Sequence, residues 1–259
     1  MKAQLPPHYF DMPNVARMAA YLLYNKDGLR PDRDLADKLL HAVPRAGRIA
    51  HANRSFQERA VSYLDKIGIR QYLNIGCGFP VPQRDVHDIA PEARVAYVDY
   101  DQIVLVHARA LLQTTSRVLA VRADLRMPDD IHREVGKFLD YSKPVTVILT
   151  DVLHYLPNST ELVEILRRLT RPLTTGSYLA VSHVERSPEL QKAVEIYRQI
   201  DVPLTLRTRK EIEKLLKSCG FSLVKMVPAP TWKPMGTVPI EDESLPLLVD
   251  VAQKRDPER

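Results

Sequence analysis

Glycine is scarce in this chain, nine in 259 residues, so any place where two fall close together stands out. Cysteine is scarcer still. Cys77 and Cys219 are the only two, far apart and without metal-ligand spacing, a usage that suits a reducing compartment. No apolar run approaches the length of a transmembrane helix, and Met1 to Phe10 contains no apolar signal-peptide core. Repeats and low-complexity linkers are absent. Charge of one sign is not concentrated either. The net charge is +5, and the densest basic group, Arg45, Arg48, Arg54 and Arg59, is spread along one helical stretch. Arg48, His51 and Arg54 share a helix face there, which reads as a solvated face rather than a phosphate track. These absences predict a soluble cytoplasmic protein with no membrane partner and do not favour nucleic acid as a partner.

Two of the nine glycines sit within three residues. The apolar run Tyr72 to Ile75 ends in Gly76-Cys77-Gly78. A buried strand that runs into a glycine turn and then a helix brings backbone close to a nucleotide. A second apolar run, Arg94 to Val98, closes in Asp99-Tyr100-Asp101. Asp99 lies at about the 20-residue offset where a carboxylate at the second strand tip accepts from ribose hydroxyls. The pyrophosphate fingerprint asks for a third glycine where this chain has Val81, and Pro80 removes a donor that a pyrophosphate would use. S-adenosylmethionine (SAM) carries no phosphate, needs only the close approach, and is favoured over a dinucleotide.

About 65 residues of helical pattern precede the first strand, over 14–25, 32–43 and 49–67. Strands are predicted at 71–75, 94–98, 117–123, 145–150, 177–183, 221–227 and 246–252, with helices between the first six. The last two strands are joined by a proline-rich loop containing Trp232, which predicts a terminal antiparallel hairpin. The fold class is therefore α/β, a mostly parallel seven-stranded sheet behind a helical N-terminal cap, with the cap over residues 1–67 and a Rossmann-like core over 68–259.

Further residues carry chemistry. Asp124, at the end of the third strand, suits the adenine amino group, with the Leu125 backbone N–H on a ring nitrogen; a helix cap or a surface carboxylate is the alternative. The fourth strand runs through Thr150 into Asp151-Val152-Leu153-His154-Tyr155. In open α/β sheets, ligands lie beyond the carboxyl strand ends, so His154 and Tyr155 are expected near a methyl acceptor. His154 is a candidate base, or a packing residue at a helix start. His183, at the end of the fifth strand, is an acceptor-site candidate with the same ambiguity. Asp151 reads equally as a base, a partner of the SAM ammonium or a surface acid.

Taken together, these pieces resemble the actinobacterial SAM-dependent methyltransferase family DUF574 (Methyltransf_19). The resemblance rests on Val15-Ala16-Arg17, Ala52-Asn53-Arg54-Ser55-Phe56, Gly76-Cys77-Gly78-Phe79-Pro80, Tyr97-Val98-Asp99, Ala123-Asp124-Leu125-Arg126 and Val152-Leu153-His154-Tyr155-Leu156-Pro157, spread over almost the whole length. It implies a class I methyltransferase core, SAM as cofactor and S-adenosylhomocysteine as product. Gly76, Cys77, Gly78, Asp99, Tyr100, Asp124, Leu125, Thr150, Asn53 and Arg54 are the expected cofactor contacts. The chain departs from the family at Asn74, where an acid is usual, and at Tyr24-Asn25 and Gly28 in the cap. Tyr24, Asn25, Tyr155 and His183 are expected around the acceptor, and His154 and Tyr24 are the base candidates. The expected reaction is methyl transfer to a small molecule, in secondary metabolism. A non-catalytic SAM sensor or an RNA methyltransferase is the alternative, and a homo-oligomer stays open.

Overall fold

The computed structural model describes residues 9–24, 28–157, 160–221 and 224–254. Three helices come first: α1 (Val15–Tyr24), α2 (Arg30–Ala42) and α3 (Ala46–Lys66). The Asn14 side chain starts α1 by accepting from the backbone N–H of Ala16 and Arg17, satisfying donors that the first turn leaves open. Pro31, in the first turn of α2, costs no hydrogen bond there.

The sheet then builds up through β1 (Gln71–Ile75), α4 (Val86–Ile89), β2 (Arg94–Asp99), α5 (Gln102–Leu111), β3 (Val118–Arg122), α6 (Pro128–Val135) and β4 (Thr146–Leu149). It continues with α7 (Thr160–Thr170), β5 (Tyr178–Val184), α8 (Pro188–Arg198), α9 (Arg209–Lys217), β6 (Val227–Pro228), α10 (Ile240–Glu243) and β7 (Leu247–Gln253). The strand order is β3-β2-β1-β4-β5-β7-β6. The first five strands are parallel, while β7 runs antiparallel to both β5 and β6. This is the seven-stranded arrangement with a terminal antiparallel pair that the pattern predicts.

Among the described residues of the predicted 221–227 and its neighbours, only Val227 and Pro228 form a strand with β7, and Phe221 contributes an isolated bridge to Lys254; residues 222 and 223 lie outside the described residues. Pro228 has no N–H to extend a ladder, and Asp250 takes the Lys225 backbone N–H with its side chain instead. The helix predicted between the first two strands shrinks to one turn, Val86–Ile89. Gln83 is left-handed (φ 63°), and Asp85 and Asp88 cap the turn reciprocally.

Both faces of the sheet are apolar and covered. One core joins Met18 of α1, Leu35 of α2 and Phe56 of α3 to Tyr72, Tyr97 and Ile148 of the sheet, with Trp232 edge-on to Phe56. The other packs Leu73, Val98 and Leu149 against Ile131, Leu166 and Leu216. The N-terminal helices thus share one continuous core with the sheet. Chain order reverses between β1 and β4, and at such a switch point the strand ends open a crevice.

Candidate active site

The turn after β1 is built by two left-handed glycines, Gly76 (φ 67°) and Gly78 (φ 64°). The backbone N–H groups of Gly76 and Cys77 both donate to the Val98 carbonyl, which folds the turn back onto β2. A Cβ on Gly76 would lie 2.5 Å from Val152 Cγ2, so only glycine fits where the chain after β4 crosses. A Cβ on Gly78 would meet nothing within 4 Å. The turn forms a cradle with open space above its second glycine.

Asp99 closes this cradle from β2. Its Oδ2 accepts from Gly78 N–H (3.1 Å) and its Oδ1 from Asp101 N–H (3.0 Å). Burial raises its pKa to about 6; the backbone donors from Asp101 and Gly78 oppose the rise and the charge of Asp101 adds to it. Asp101 caps α5 by accepting from the N–H groups of Ile103 and Val104. It also receives the Tyr9 hydroxyl and Asn14 Nδ2, which fasten the N-terminal segment to the strand end.

A cavity of about 610 Å³ opens over these groups. Gly76, Cys77, Gly78, Asp99, Tyr100, Asp124, Leu125 and Thr150 all line it, together with Asn53 and Arg54 from α3 and Tyr24 from α1. Helices α1 and α3 form its roof, largely through Val15, Ala16, Ala19, Ala20 and Leu23. Two polar atoms of this roof are buried and make no hydrogen bond among the described residues, the Tyr24 hydroxyl and Asn53 Oδ1. Burial raises the Tyr24 pKa against the lowering charges of Arg54 and Arg84, so this hydroxyl keeps its proton at neutral pH. Arg54 lines the cavity, but its guanidinium is bound to Asp85 (3.0 Å), Glu58 (3.3 Å) and the Arg84 carbonyl. The Thr150 hydroxyl donates to Gln57 Oε1 (2.7 Å), so it ties β4 to the roof.

The acid after β3 stands two residues beyond the strand and is forked by Arg126, whose Nη2 reaches Asp124 Oδ2 at 2.5 Å. Burial pushes the Asp124 pKa up, but the bonds and charge of Arg126 prevail and it lies below the ordinary carboxylate value. Burial holds the Cys77 thiol well above its ordinary pKa, and the charges of Asp99 and Asp85 add to this, so it stays a thiol.

Two expected acceptor-site residues are placed elsewhere. His154 is 1% exposed and does not line the cavity; its Nε2 contacts Asp151 Oδ1 at 3.1 Å. His183 is fully buried behind it. Its Nδ1–H donates to the Val184 carbonyl (2.7 Å) and its Nε2 accepts from Arg207 Nη1 (2.7 Å). Burial, followed by the charges of His154 and Arg207, holds its pKa well below the ordinary histidine value. His183 therefore faces the core as a neutral ring with both nitrogens used. Leu153 to Tyr155 form one tight helical turn that presents Tyr155, not His154, to the cavity. Tyr155 lies 3.4 Å from the Tyr197 hydroxyl, and burial raises its pKa strongly. Asn25 lies outside the described residues.

The structure also adds residues the sequence did not single out: Gln57, Asp101, Arg126, Asn14 and the Asp201-Val202-Pro203 loop line the cavity. Gln57 is four residues after Asn53, on the same face of α3, and that spacing was a usable signal. The loop after α8 has no such pattern.

The sequence of residues 8–255 matches the model of a family described as S-adenosyl methyltransferase. No curated protein matches the chain. A putative methyltransferase from Thermobifida fusca YX shares 31% identity with it, at a TM-score of 0.88, over 97% of this chain and 98% of that one. A DUF574 family protein from Streptomyces avermitilis shares 33% identity, at a TM-score of 0.87, over 95% and 98%. The Burkholderia thailandensis 1,6-didemethyltoxoflavin-N1-methyltransferase, solved with bound 1,6-didemethyltoxoflavin and S-adenosylhomocysteine, is alike in fold, with 16% identity and a TM-score of 0.50 over 86% and 89%.

Proposed function

This chain belongs to the S-adenosyl methyltransferase family, and from that premise we propose that it methylates a small molecule held beneath helices α1 and α3. Its cofactor is SAM and its activity is methyl transfer; the small size of the acceptor is the proposal. The residues fit the cofactor. Glycine at 76 lets the turn pass under Val152, the cradle stays open above Gly78, and Asp99 and Asp124 line the cavity at successive strand ends. In this reading Asp99 accepts from the ribose hydroxyls. Asp124 and the Leu125 N–H meet the adenine edge. Gly76, Cys77, Gly78, Tyr100 and Thr150 line the rest of the cofactor's bed. When bound, SAM supplies a methyl group already activated by its sulfonium.

The observation that carries the small-molecule reading is the helical roof over the cavity. Residues 1–67 act as the cap and 68–259 as the cofactor-binding core. The cap turns a largely apolar surface toward the cavity, and two residues that line it, Tyr24 and Asn53, each carry a buried polar atom without a partner among the described residues. Buried polar groups without partners are costly, so a ligand that hydrogen-bonds to them is bound selectively. In a water-excluded pocket, alignment of acceptor and methyl donor supplies much of the rate. Asn53 thus moves from the cofactor to the acceptor side, and Arg54 becomes a brace for the roof through Asp85 and Glu58. Tyr24, protonated, serves as a hydrogen-bond donor to the acceptor, with Tyr155 as an apolar wall. An acceptor of this kind suits secondary metabolism, and the reaction is expected in the cytoplasm.

The test is transfer from SAM carrying a deuterated methyl group, in a cell extract split into low-mass, protein and RNA fractions. Mass spectrometry should find the label in the low-mass fraction, with S-adenosylhomocysteine formed in step. Label in RNA or protein would replace the small-molecule reading. Binding of SAM without any S-adenosylhomocysteine would favour a sensor.

A further inference from the structure

Asp151 is built into the cavity wall with more care than a surface acid needs. It is a non-glycine residue in the left-handed region (φ 61°), a conformation that side chains rarely adopt and that persists only where its surroundings fix it. Here they do. Its backbone N–H donates to Ser182 Oγ of the neighbouring strand β5 (2.8 Å). Its carboxylate Oδ1 meets His154 Nε2 at 3.1 Å.

His154 is almost fully buried, and its Nδ1 has no hydrogen-bond partner among the described residues. A buried, unpartnered ring nitrogen is better left without a proton than with an unmet N–H, so the proton sits on Nε2, the nitrogen that faces Asp151 Oδ1 at 3.1 Å. The ring is held in turn. It stands edge-on to His183 at 5.4 Å, and His183 is pinned between the Val184 carbonyl and Arg207. A stack of buried groups thus reaches from the core to one carboxylate at the cavity.

The position of that carboxylate gives it a task. Strand β4 pairs with β1 in the register Asn74↔Ile148, which carries Asp151 to the level of the glycine turn, on the side away from Asp99. Across the strand ends the order is Asp124 after β3, Asp99 on β2, the glycine turn after β1, and Asp151 after β4. The cofactor's hydrogen-bond donors come in the same order along its length: adenine amino group, ribose diol, ammonium. We propose that Asp151 is the anionic partner of the ammonium at the methionine end of SAM, and that His154 is the residue that positions it. The proposal rests on the assignment of Asp124 and Asp99 to adenine and ribose. It removes His154 from the base candidates, because its unprotonated nitrogen, Nδ1, is buried and the ring does not reach the cavity.

Two probes separate the outcomes: S-adenosylhomocysteine, which carries the ammonium, and methylthioadenosine, which lacks the amino-acid end. Asp151→Asn keeps the shape and tolerates the left-handed backbone. Calorimetry should show its affinity for S-adenosylhomocysteine falling by about 10- to 100-fold, the loss of one charge-assisted hydrogen bond, with methylthioadenosine unchanged. His154→Phe should weaken S-adenosylhomocysteine alone by roughly 3- to 10-fold, and His154→Gln, which restores an N–H, should recover most of it. A purely structural role for His154 would instead weaken both probes together. If Asp151→Asn weakens both probes equally, or neither, the proposal is overturned. Intact affinities with collapsed turnover would make Asp151 a base for the acceptor and overturn it as well. If the unaltered protein binds neither probe, the cofactor site itself has been misplaced, a failure distinct from that of Asp151.

Discussion

Gly76 and Val152 touch so closely that a single methyl group between them has no room: the missing Cβ would stand 2.5 Å from Val152 Cγ2. The contact joins the turn after β1 to the chain leaving β4 and so fixes the cavity floor. Gly76→Ala suffers both the left-handed strain and this clash, and should destabilise the protein by roughly 2–4 kcal/mol. Gly78→Ala suffers the strain without the clash, since its Cβ faces open space, and should cost about 1–2 kcal/mol. Thermal melts of the pair, with and without S-adenosylhomocysteine, check this. Equal melting temperatures for the two variants would mean that the Val152 contact yields easily.

Asp99 predicts a pH dependence. Its pKa is raised from 3.8 to about 6 in the folded protein, so between these values the folded state holds more protons than the unfolded one. Stability conferred by the neutral carboxyl is therefore fully present below 3.8 and lost as pH rises through about 6. Cofactor binding runs the other way, because the ionised carboxylate is the better acceptor for the ribose hydroxyls. Affinity for S-adenosylhomocysteine should weaken as pH falls below about 6. Asp99→Asn should flatten that dependence and weaken binding by roughly 30- to 150-fold at neutral pH. Calorimetry across the range decides it, and an unchanged affinity in a folded variant would remove Asp99 from the site.

Tyr24→Phe removes a buried hydroxyl that has no partner among the described residues. Its loss should leave the melting temperature unchanged or raise it slightly, since an unmet polar group is deleted. Affinity for S-adenosylhomocysteine should not move. With the acceptor identified by deuteromethyl transfer, kcat/KM for that acceptor should fall by roughly 3- to 10-fold, the worth of one neutral hydrogen bond. A loss of 10²-fold or more in kcat alone, on the order expected for proton transfer, would restore Tyr24 as a base.

Legibility from sequence followed locality. The glycine turn, Asp99 and the alternation of strands and helices are short-range signals, and each sits where its pattern put it. The strand that shrank to Val227–Pro228 failed because its pairing depends on Asp250, a residue far along the chain that takes a backbone N–H with its side chain. His154 and His183 were misplaced for a related reason. Sequence position brought them to the strand ends, but which way a ring turns there is set by Arg207 and the Val184 carbonyl, which no local pattern announces. Asp151 was visible as an acid after β4; its left-handed backbone and its bond to His154 were not.

The N-terminal segment should govern how long the cofactor stays. Asp101 is two residues past Asp99, and its carboxylate receives the Tyr9 hydroxyl at 2.7 Å and 2.5 Å and Asn14 Nδ2 at 2.7 Å. Arg17 lies over the Tyr9 ring at 5.1 Å and forms a buried ion pair with Asp32 at 2.6 Å, so the segment is fastened at both the core and the cap. Asn14 itself lines the cavity. Tyr9→Phe combined with Asn14→Ala removes these bonds to Asp101 while leaving Asp101 in place to cap α5 through Ile103 and Val104. Two hydrogen bonds to a charged group are worth about 1.5–3 kcal/mol each where buried and less at a part-exposed site such as this. Part of that loss should appear as weaker closure over the cofactor. Surface plasmon resonance should then show S-adenosylhomocysteine leaving roughly 3- to 30-fold faster, with little change in its rate of arrival, because interactions formed after encounter act mainly on dissociation. A lower melting temperature with an unchanged dissociation rate would make this segment a structural strap and leave retention of the cofactor to the strand-end acids.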